Sequence, residues 1–228
     1  YPGASSVIDG KPFILREHQK RAVTRCIQGN SLLAHAVGAG KTAVMITAAM
    51  ELIRIKLATK TMIVVQNATL QQFAEFAPKL YPTANILVAT KNDLVKEKRK
   101  RFLGRIATGK WDIVIIAQSS FNMIEDNPDL VRAKYQSELD EMERVQSTRG
   151  VAMQPNRRQK KAEEQRKRSL KNRLDKLEDR HASEDIVYFD QLGVDCIFMD
   201  EVHSYKRNFF VTKMTRVKGL NNAASQKA

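Results

Sequence analysis

The sequence is poor in the residues and segments that mark secreted and membrane proteins. Its 228 residues include two cysteines, Cys26 and Cys196, too few for a disulfide framework and without the spacing of a zinc site. No apolar run approaches the length of a transmembrane span, and no secretory signal is visible after Tyr1. These absences exclude the disulfide-stapled and membrane-spanning classes and predict a cytoplasmic protein.

Acidic residues are also in deficit, with 25 Asp and Glu against 39 Lys and Arg, which gives a formal charge of +14. Such a balance predicts a polyanionic partner, with nucleic acid the first candidate and an anionic membrane surface the second. Charge by itself does not choose between them. The hydrophobic fraction of 43% supports a real core, and the first residue, which is not methionine, suggests a segment of a longer protein.

The most informative stretch is SLLAHAVGAGKT at residues 31–42. Its apolar start predicts a buried strand, and the glycines after it allow a tight turn whose N–H groups point at a phosphate. The following residues 43–56 have helical spacing, so the helix dipole would face the same anion. The residues predicted to bind nucleotide here are Gly38, Ala39, Gly40, Lys41 and Thr42.

Within this loop, Lys41 is expected to reach the β- and γ-phosphates and the Thr42 hydroxyl to ligate Mg²⁺. The strict phosphate-loop pattern would have glycine where this chain has His35. An ordinary glycine-rich turn with a surface lysine is the alternative. The strand before and the helix after the loop favour the nucleotide site.

The rest of the pattern alternates strands with amphipathic helices. A helix is predicted at 13–28, another at 68–80 that stops near Pro78 and Pro82, and strands at 61–66, 84–90, 112–121 and 194–199. This alternation predicts an α/β fold with a mainly parallel, doubly wound sheet and ligands at the carboxyl ends of the strands. The polar residues Gln118, Ser119 and Ser120 end one strand, where a sugar–phosphate contact and a plain serine turn are both open.

Two basic segments leave their roles open. Residues 91–110 either contact phosphates or form the solvated face of a helix whose apolar residues pack inward. Residues 127–185 lack strand formers and show leucines at three- and four-residue spacing, which predicts an inserted helical hairpin. The predicted domains are therefore a lobe of 1–126 and 186–228 and an insertion of 127–185, whose role is structural, partner-binding or DNA-contacting.

A second constellation follows the strand at 194–199. Asp200 and Glu201 would be costly at the end of a buried strand without a cation or proton chemistry to use them. Asp200 is expected to hold Mg²⁺ opposite Thr42, and Glu201 to accept the proton of the attacking water. His203 would sense the γ-phosphate, while the Gln19 amide offers the donor and acceptor that an adenine edge requires.

The joint arrangement resembles the first motor lobe of superfamily 2 helicases and translocases, of the Swi/Snf-like or DEAD/H-box-like groups. LREHQKRAV resembles the adenine-sensing glutamine motif, AVGAGKT motif I and DEVH motif II. TMIVVQNATLQQF and DIVIIAQSSF occupy the places of motifs Ia and Ib, although Gln66-Asn67 stands where the family often has proline. The charged segment between motifs Ib and II resembles helicases of large phage or conjugative-element proteins.

The resemblance implies a RecA-like lobe that binds ATP and Mg²⁺, contacts nucleic acid, DNA more than RNA, and needs a second motor lobe of the same polypeptide. Motif III and the second lobe's arginines are not found here, so slow turnover is expected from the fragment alone. An ATP-switched binding module without translocation is the alternative. A metabolic kinase is disfavoured, because no acceptor site is apparent and the charge would have no role.

Overall fold

The structure, a computed structural model, describes residues 1–90, 93, 95–148, 157–178 and 186–202. Near its start, β1 (Val7–Ile8) pairs antiparallel with β2 (Lys11–Pro12). The two turn residues, Asp9 and Gly10, have φ of 50° and 75°, as a two-residue hairpin turn requires. Residues 7–12 therefore form a small hairpin, because an Asp-Gly pair accepts this turn.

A four-stranded parallel sheet lies at the centre of the fold. Its members are β3 (Thr61–Val65), β4 (Ile86–Val88), β5 (Ile113–Ala117) and β6 (Cys196–Met199), in the order β4-β5-β3-β6. Every residue of β3 and β5 is buried, because β-branched side chains fill both faces of these inner strands. The predicted α/β class with a parallel sheet is confirmed, and the architecture is that of a RecA-like lobe.

Helices cover both faces of this sheet. They are α1 (Glu17–Gln28), α2 (Lys41–Arg54), α3 (Leu70–Leu80), α4 (Lys96–Thr108) and the short α5 (Gln118–Phe121). On one face, Ile46 of α2 and Phe73 of α3 pack on Ile63. On the other, Phe102 of α4 packs on the cluster that contains Val64. Alternate residues of one strand therefore enter two separate cores, as strand geometry dictates.

One sequence prediction fails. Residues 31–36 are not a strand: Leu32 is 75% exposed, and only Leu33 joins the cluster around Val44. Hydrophobicity without a ladder partner does not make a strand, and β6 pairs only with β3 among the described strands. The predicted end of helix α3 is confirmed: the helix ends at Leu80, between Pro78 and Pro82, and Leu80 is 1% exposed.

The described residues divide into two compact units, one of Tyr1–Glu125 with Val187–Glu201 and another that contains Asp126–Ile186. The second unit is built on α6 (Pro128–Ser147) and α7 (Arg157–Glu178). The predicted charged helical hairpin is confirmed, because Leu139 and Met142 of α6 pack against Leu170 of α7. Residues 150–155, where glycine and proline interrupt the helical pattern of the sequence, lie outside the described residues. Among the described helices, none is long and apolar enough to cross a membrane.

Lys60, just before β3, is buried and holds two helix ends. Its ammonium donates to the carbonyls of Ile106 at 2.6 Å, of Leu192 at 3.0 Å and of Ala107 at 3.4 Å. Burial lowers the pKa of Lys60. These bonds satisfy carbonyls at the end of α4 and of a 3₁₀ helix (Phe189–Leu192) that receive no backbone N–H from outside their own helix in the part of the chain that the structure describes.

We expect Lys60→Met to lower the free energy of unfolding by about 3 kcal/mol, because buried carbonyls left without a donor cost about 1–3 kcal/mol each. Urea unfolding followed by circular dichroism measures the change. Lys110→Met, at an exposed lysine, is the control and should change stability by less than about 0.5 kcal/mol. Equal stability of the two variants would contradict the role given to Lys60.

Candidate nucleotide-binding site

The predicted phosphate loop has the backbone that an anion cradle needs. Gly38 and Gly40 have φ of 81° and 79°, in the left-handed region that favours glycine, and α2 begins directly afterwards at Lys41. The first backbone hydrogen bonds of this helix are donated by the N–H groups of Ala43 and Val44 to the Gly40 carbonyl. The N–H groups at its start are therefore available to an anion, and the helix dipole favours negative charge there.

The side chains of the loop fit a phosphate. The Lys41 ammonium donates to the His35 carbonyl at 3.4 Å, a long bond that is readily exchanged for a phosphate oxygen. Thr42, in the first turn of α2, is partly exposed, as is Lys41. A Cβ added at Gly38 would meet nothing within 4 Å, so open space adjoins the loop backbone.

Gln19 reaches the loop from α1. It is only 6% exposed; its Oε1 accepts from the Arg16 N–H at 2.8 Å, and its Nε2 donates to the carbonyls of Ala39 at 3.2 Å and Gly40 at 3.4 Å. The amide therefore caps its own helix and holds the phosphate loop at once. In this structure its hydrogen bonds go to protein groups, and the predicted adenine contact remains a prediction.

Two histidines that the sequence argument did not assign a role also lie at the loop. His18 Nε2 is 3.0 Å from the Ala39 carbonyl and donates to it in the tautomer protonated at that nitrogen. The His18 and His35 rings meet edge to face, with centroids 5.7 Å apart. His35 Nδ1 is buried without a partner among the described residues. The signal in the sequence was present, because His35 occupies the position where the strict loop pattern has glycine.

The acidic pair follows β6 directly. Asp200 N–H donates to the Val64 carbonyl at 2.9 Å, which continues the ladder to β3, and Glu201 turns away with φ of 52°. The Glu201 N–H donates to Asp200 Oδ1 at 3.1 Å. The strand therefore delivers both carboxylates to the carboxyl edge of the sheet, where the fold class predicts a ligand site.

The electrostatics link this pair to the loop. Burial raises the pKa of Asp200, the charge of Glu201 raises it further, and its hydrogen bond from Glu201 N–H and the charge of Lys41 act in the opposite direction. Asp200 and Lys41 thus lie close enough to interact. A half-buried carboxylate beside another carboxylate is a suitable ligand for a divalent cation. His203, the fourth predicted residue of this motif, lies outside the described residues.

The carboxyl ends of β3 and β5 meet through polar side chains. Ser119 Oγ, in the first turn of α5, donates to Asn67 Oδ1 at 2.7 Å. Asn67 follows β3, and Ser119 follows β5. The two segments that resemble motifs Ia and Ib are therefore neighbours in the structure.

A family comparison matches residues 25–228 to a model described as a probable helicase domain. The chain belongs to this helicase-domain family. The matched residues include the phosphate loop and the acidic pair, but the match begins after Gln19. A search of curated proteins found no match.

The two loop glycines of the helicase domain provide a matched test of how Gln19 supports the loop. Both have positive φ, so alanine at either is expected to cost about 1–2 kcal/mol in backbone strain. A Cβ at Gly40 would also overlap the Gln19 amide nitrogen, whereas one at Gly38 meets nothing. We therefore expect Gly40→Ala to destabilise the protein more than Gly38→Ala, by about 1 kcal/mol, through lost Gln19 hydrogen bonds.

Urea unfolding of both variants, each with and without Gln19→Ala, measures this difference. Removing the Gln19 amide should bring the two glycine variants to equal costs, since the overlap then disappears. A difference that persists in the Gln19→Ala background would show that the overlap is not its cause.

Proposed function

We propose that this helicase domain is the N-terminal motor lobe of an ATP-dependent DNA helicase or translocase of superfamily 2, in the Swi/Snf-like or DEAD/H-box-like groups. It binds Mg-ATP and nucleic acid, and a second motor lobe of the same polypeptide completes the site for hydrolysis. The two free cysteines and the absence of a membrane-spanning helix among the described residues suit the cytoplasm.

The observation that carries this proposal is the approach of Asp200 to Lys41. A phosphate loop alone serves many nucleotide-binding proteins, and an acidic pair alone serves many metal sites. The charge of Lys41 lowers the pKa of Asp200, and this interaction at the carboxyl edge of a parallel sheet supports a single site for a nucleotide phosphate and its metal ion. The helicase-domain family then favours a motor over a kinase.

In the proposed site, each residue has a separate role. Lys41 and the N–H groups at the start of α2 hold the phosphates, and Gln19 keeps the loop in place and selects adenine. Thr42 and Asp200 would hold Mg²⁺, which neutralises charge that develops on the phosphates. Glu201 accepts the proton of the attacking water, and His203 transmits the state of the site to nucleic-acid contacts.

The nucleic acid would follow the carboxyl ends of β3 and β5. Asn67 and Ser119 lie there and already share a hydrogen bond, so their amide and hydroxyl groups are positioned for sugar–phosphate oxygens. The formal charge of +14 favours the same partner. DNA is proposed before RNA.

A triplex-displacement assay tests the proposal on a protein that contains this domain and a second motor lobe. We expect displacement of the third strand that depends on ATP and Mg²⁺. The isolated 228-residue chain should bind Mg-ATP weakly and hydrolyse it slowly, because arginines from a second lobe contribute factors of about 10³ to 10⁵. ATP binding without displacement would instead favour an ATP-switched module, and vigorous DNA-stimulated turnover by the isolated chain would contradict the need for a second lobe.

A further inference from the structure

Helix α4 combines a buried apolar face with an exposed cationic one. Phe102, Leu103 and Ile106 are at most 4% exposed and pack under the sheet. The apolar side of the helix is therefore used for folding. The two roles that the sequence left open for residues 91–110 do not compete, since the packing of one face leaves the other free.

Three cations line the exposed face of α4: Lys98, Arg101 and Arg105, a set we name the α4 stripe. Their three- and four-residue spacing places them on one side of the helix. At 1.5 Å per residue they span about 10 Å, close to three phosphate steps of one strand at about 3.4 Å each. Among the described residues, none forms an ion pair with any of the three.

One end of the stripe is held by an aromatic contact. The Arg105 guanidinium lies 5.2 Å from the ring centroid of Trp111, and the Trp111 Nε1–H donates to the Arg105 carbonyl at 2.8 Å. A stacked guanidinium keeps its N–H donors directed outward at a small entropy cost. Asp93 is a nearby acid: hydrogen bonds from the Thr90 hydroxyl and N–H and the charges of Arg105 and Lys98 lower its pKa, but among the described side chains its carboxylate forms no ion pair with either cation.

Helix α7 is the other cationic candidate, and its charges are less available. Arg166 pairs with Glu138 at 2.8 Å and Lys167 with Glu143 at 2.6 Å, both across the hairpin. Its exposed Lys160, Lys161 and Arg168 share their helix face with the acids Glu164 and Asp175. The exposed face of α4 has no acid among its described side chains.

We propose that the α4 stripe binds the sugar–phosphate backbone of a nucleic acid without regard to sequence. Three cations at phosphate spacing, none of them in an ion pair with a described residue, supply charge complementarity, and the contact of Arg105 with Trp111 pre-orients one of them. The inference rests on the proposed function in one respect, namely that the bound polyanion is a nucleic acid. It adds a contact surface distinct from the strand ends that carry Asn67 and Ser119.

The test compares two triple variants that remove the same charge. Lys98→Gln, Arg101→Gln, Arg105→Gln neutralises the α4 stripe, and Lys160→Gln, Lys161→Gln, Arg168→Gln neutralises α7. Binding of the 228-residue chain to a labelled DNA duplex is followed by fluorescence anisotropy, without nucleotide, across a sodium chloride series. Circular dichroism and urea unfolding confirm that both variants fold.

For the α4 variant we expect the plot of log binding constant against log salt concentration to be less steep by about 2 to 3. Each lost phosphate contact reduces the magnitude of this slope by about 0.9. Affinity at 0.1 M salt should fall at least about tenfold, and the α7 variant should retain the wild-type slope. A third variant that keeps the charge, Lys98→Arg, Arg101→Lys, Arg105→Lys, should also retain it.

Equal losses in the α4 and α7 variants would reduce the effect to net charge and overturn the proposal, as would an unchanged α4 variant. Loss of binding to phosphatidylserine vesicles with DNA binding intact would assign the stripe to a membrane surface and overturn it too. Failure of the proposed motor function is seen separately, as absent Mg-ATP binding with the salt slopes unaffected.

Discussion

Replacing Glu201 by glutamine is expected to abolish ATP hydrolysis while leaving Mg-ATP binding near the wild-type level. The amide keeps the size of the side chain and the turn at φ 52° but cannot accept the proton of the attacking water. Removal of a general base costs about 10² to 10⁴ in rate. The measurement is DNA-stimulated phosphate release by a protein that holds this domain and a second motor lobe, together with binding of a fluorescent ATP analogue.

Lys41→Ala is the matched comparison, because it acts on the phosphates themselves. It should lose both binding and hydrolysis, whereas the Glu201 variant loses hydrolysis alone. Turnover within about threefold of wild type in the Glu201 variant would remove Glu201 from the role of base. Equal loss of binding in both variants would place Glu201 among the binding groups.

Asp200→Asn is expected to weaken Mg²⁺-dependent ATP binding strongly and, at the same time, to stabilise the free protein near pH 7. Burial and the charge of Glu201 raise the pKa of Asp200 in the folded state, so the ionised carboxylate is costly to folding. The folded protein then binds the proton more tightly than the unfolded chain. The contribution of Asp200 to the free energy of unfolding should therefore fall as the pH rises from about 4 through its folded pKa, and the amide removes this loss.

Urea unfolding between pH 4 and pH 8 measures the second effect, with Asp175→Asn at an exposed position of α7 as the control. The stabilisation by asparagine at position 200 should be full near pH 7 and shrink toward pH 4. Added Mg-ATP should stabilise the wild type and the control but not the variant. A variant that keeps its response to Mg-ATP would exclude Asp200 as the metal ligand.

Much of the fold was predictable from local pattern. Strands β3 and β5 consist mainly of β-branched residues, and α2 and α4 carry apolar residues at helical spacing, so their burial is encoded residue by residue. The error at residues 31–36 has the opposite origin. A strand needs a hydrogen-bonded neighbour, and an apolar run does not specify one, so Leu32 is exposed despite its hydrophobicity.

The candidate site was predictable in its residues but not in its contacts. Gly38, Gly40 and Lys41 are recognisable because a phosphate loop requires those residue types in a short stretch. The sequence could not show that the Gln19 amide hydrogen-bonds to Ala39 and Gly40 as well as to Arg16. The bonds to Ala39 and Gly40 join α1 to the phosphate loop, and no local pattern specifies them.

By itself, the sequence determined the alternation of strands and helices, the phosphate loop, the acidic pair and the basic charge, since each depends on residue types at short spacing. The tertiary structure decided what these segments touch. It brought Asp200 toward Lys41 across about 160 residues and raised the pKa of that carboxyl by burial. It also exposed the α4 stripe by burying the opposite face of the helix, and such outcomes follow from packing between distant segments, which no local pattern contains.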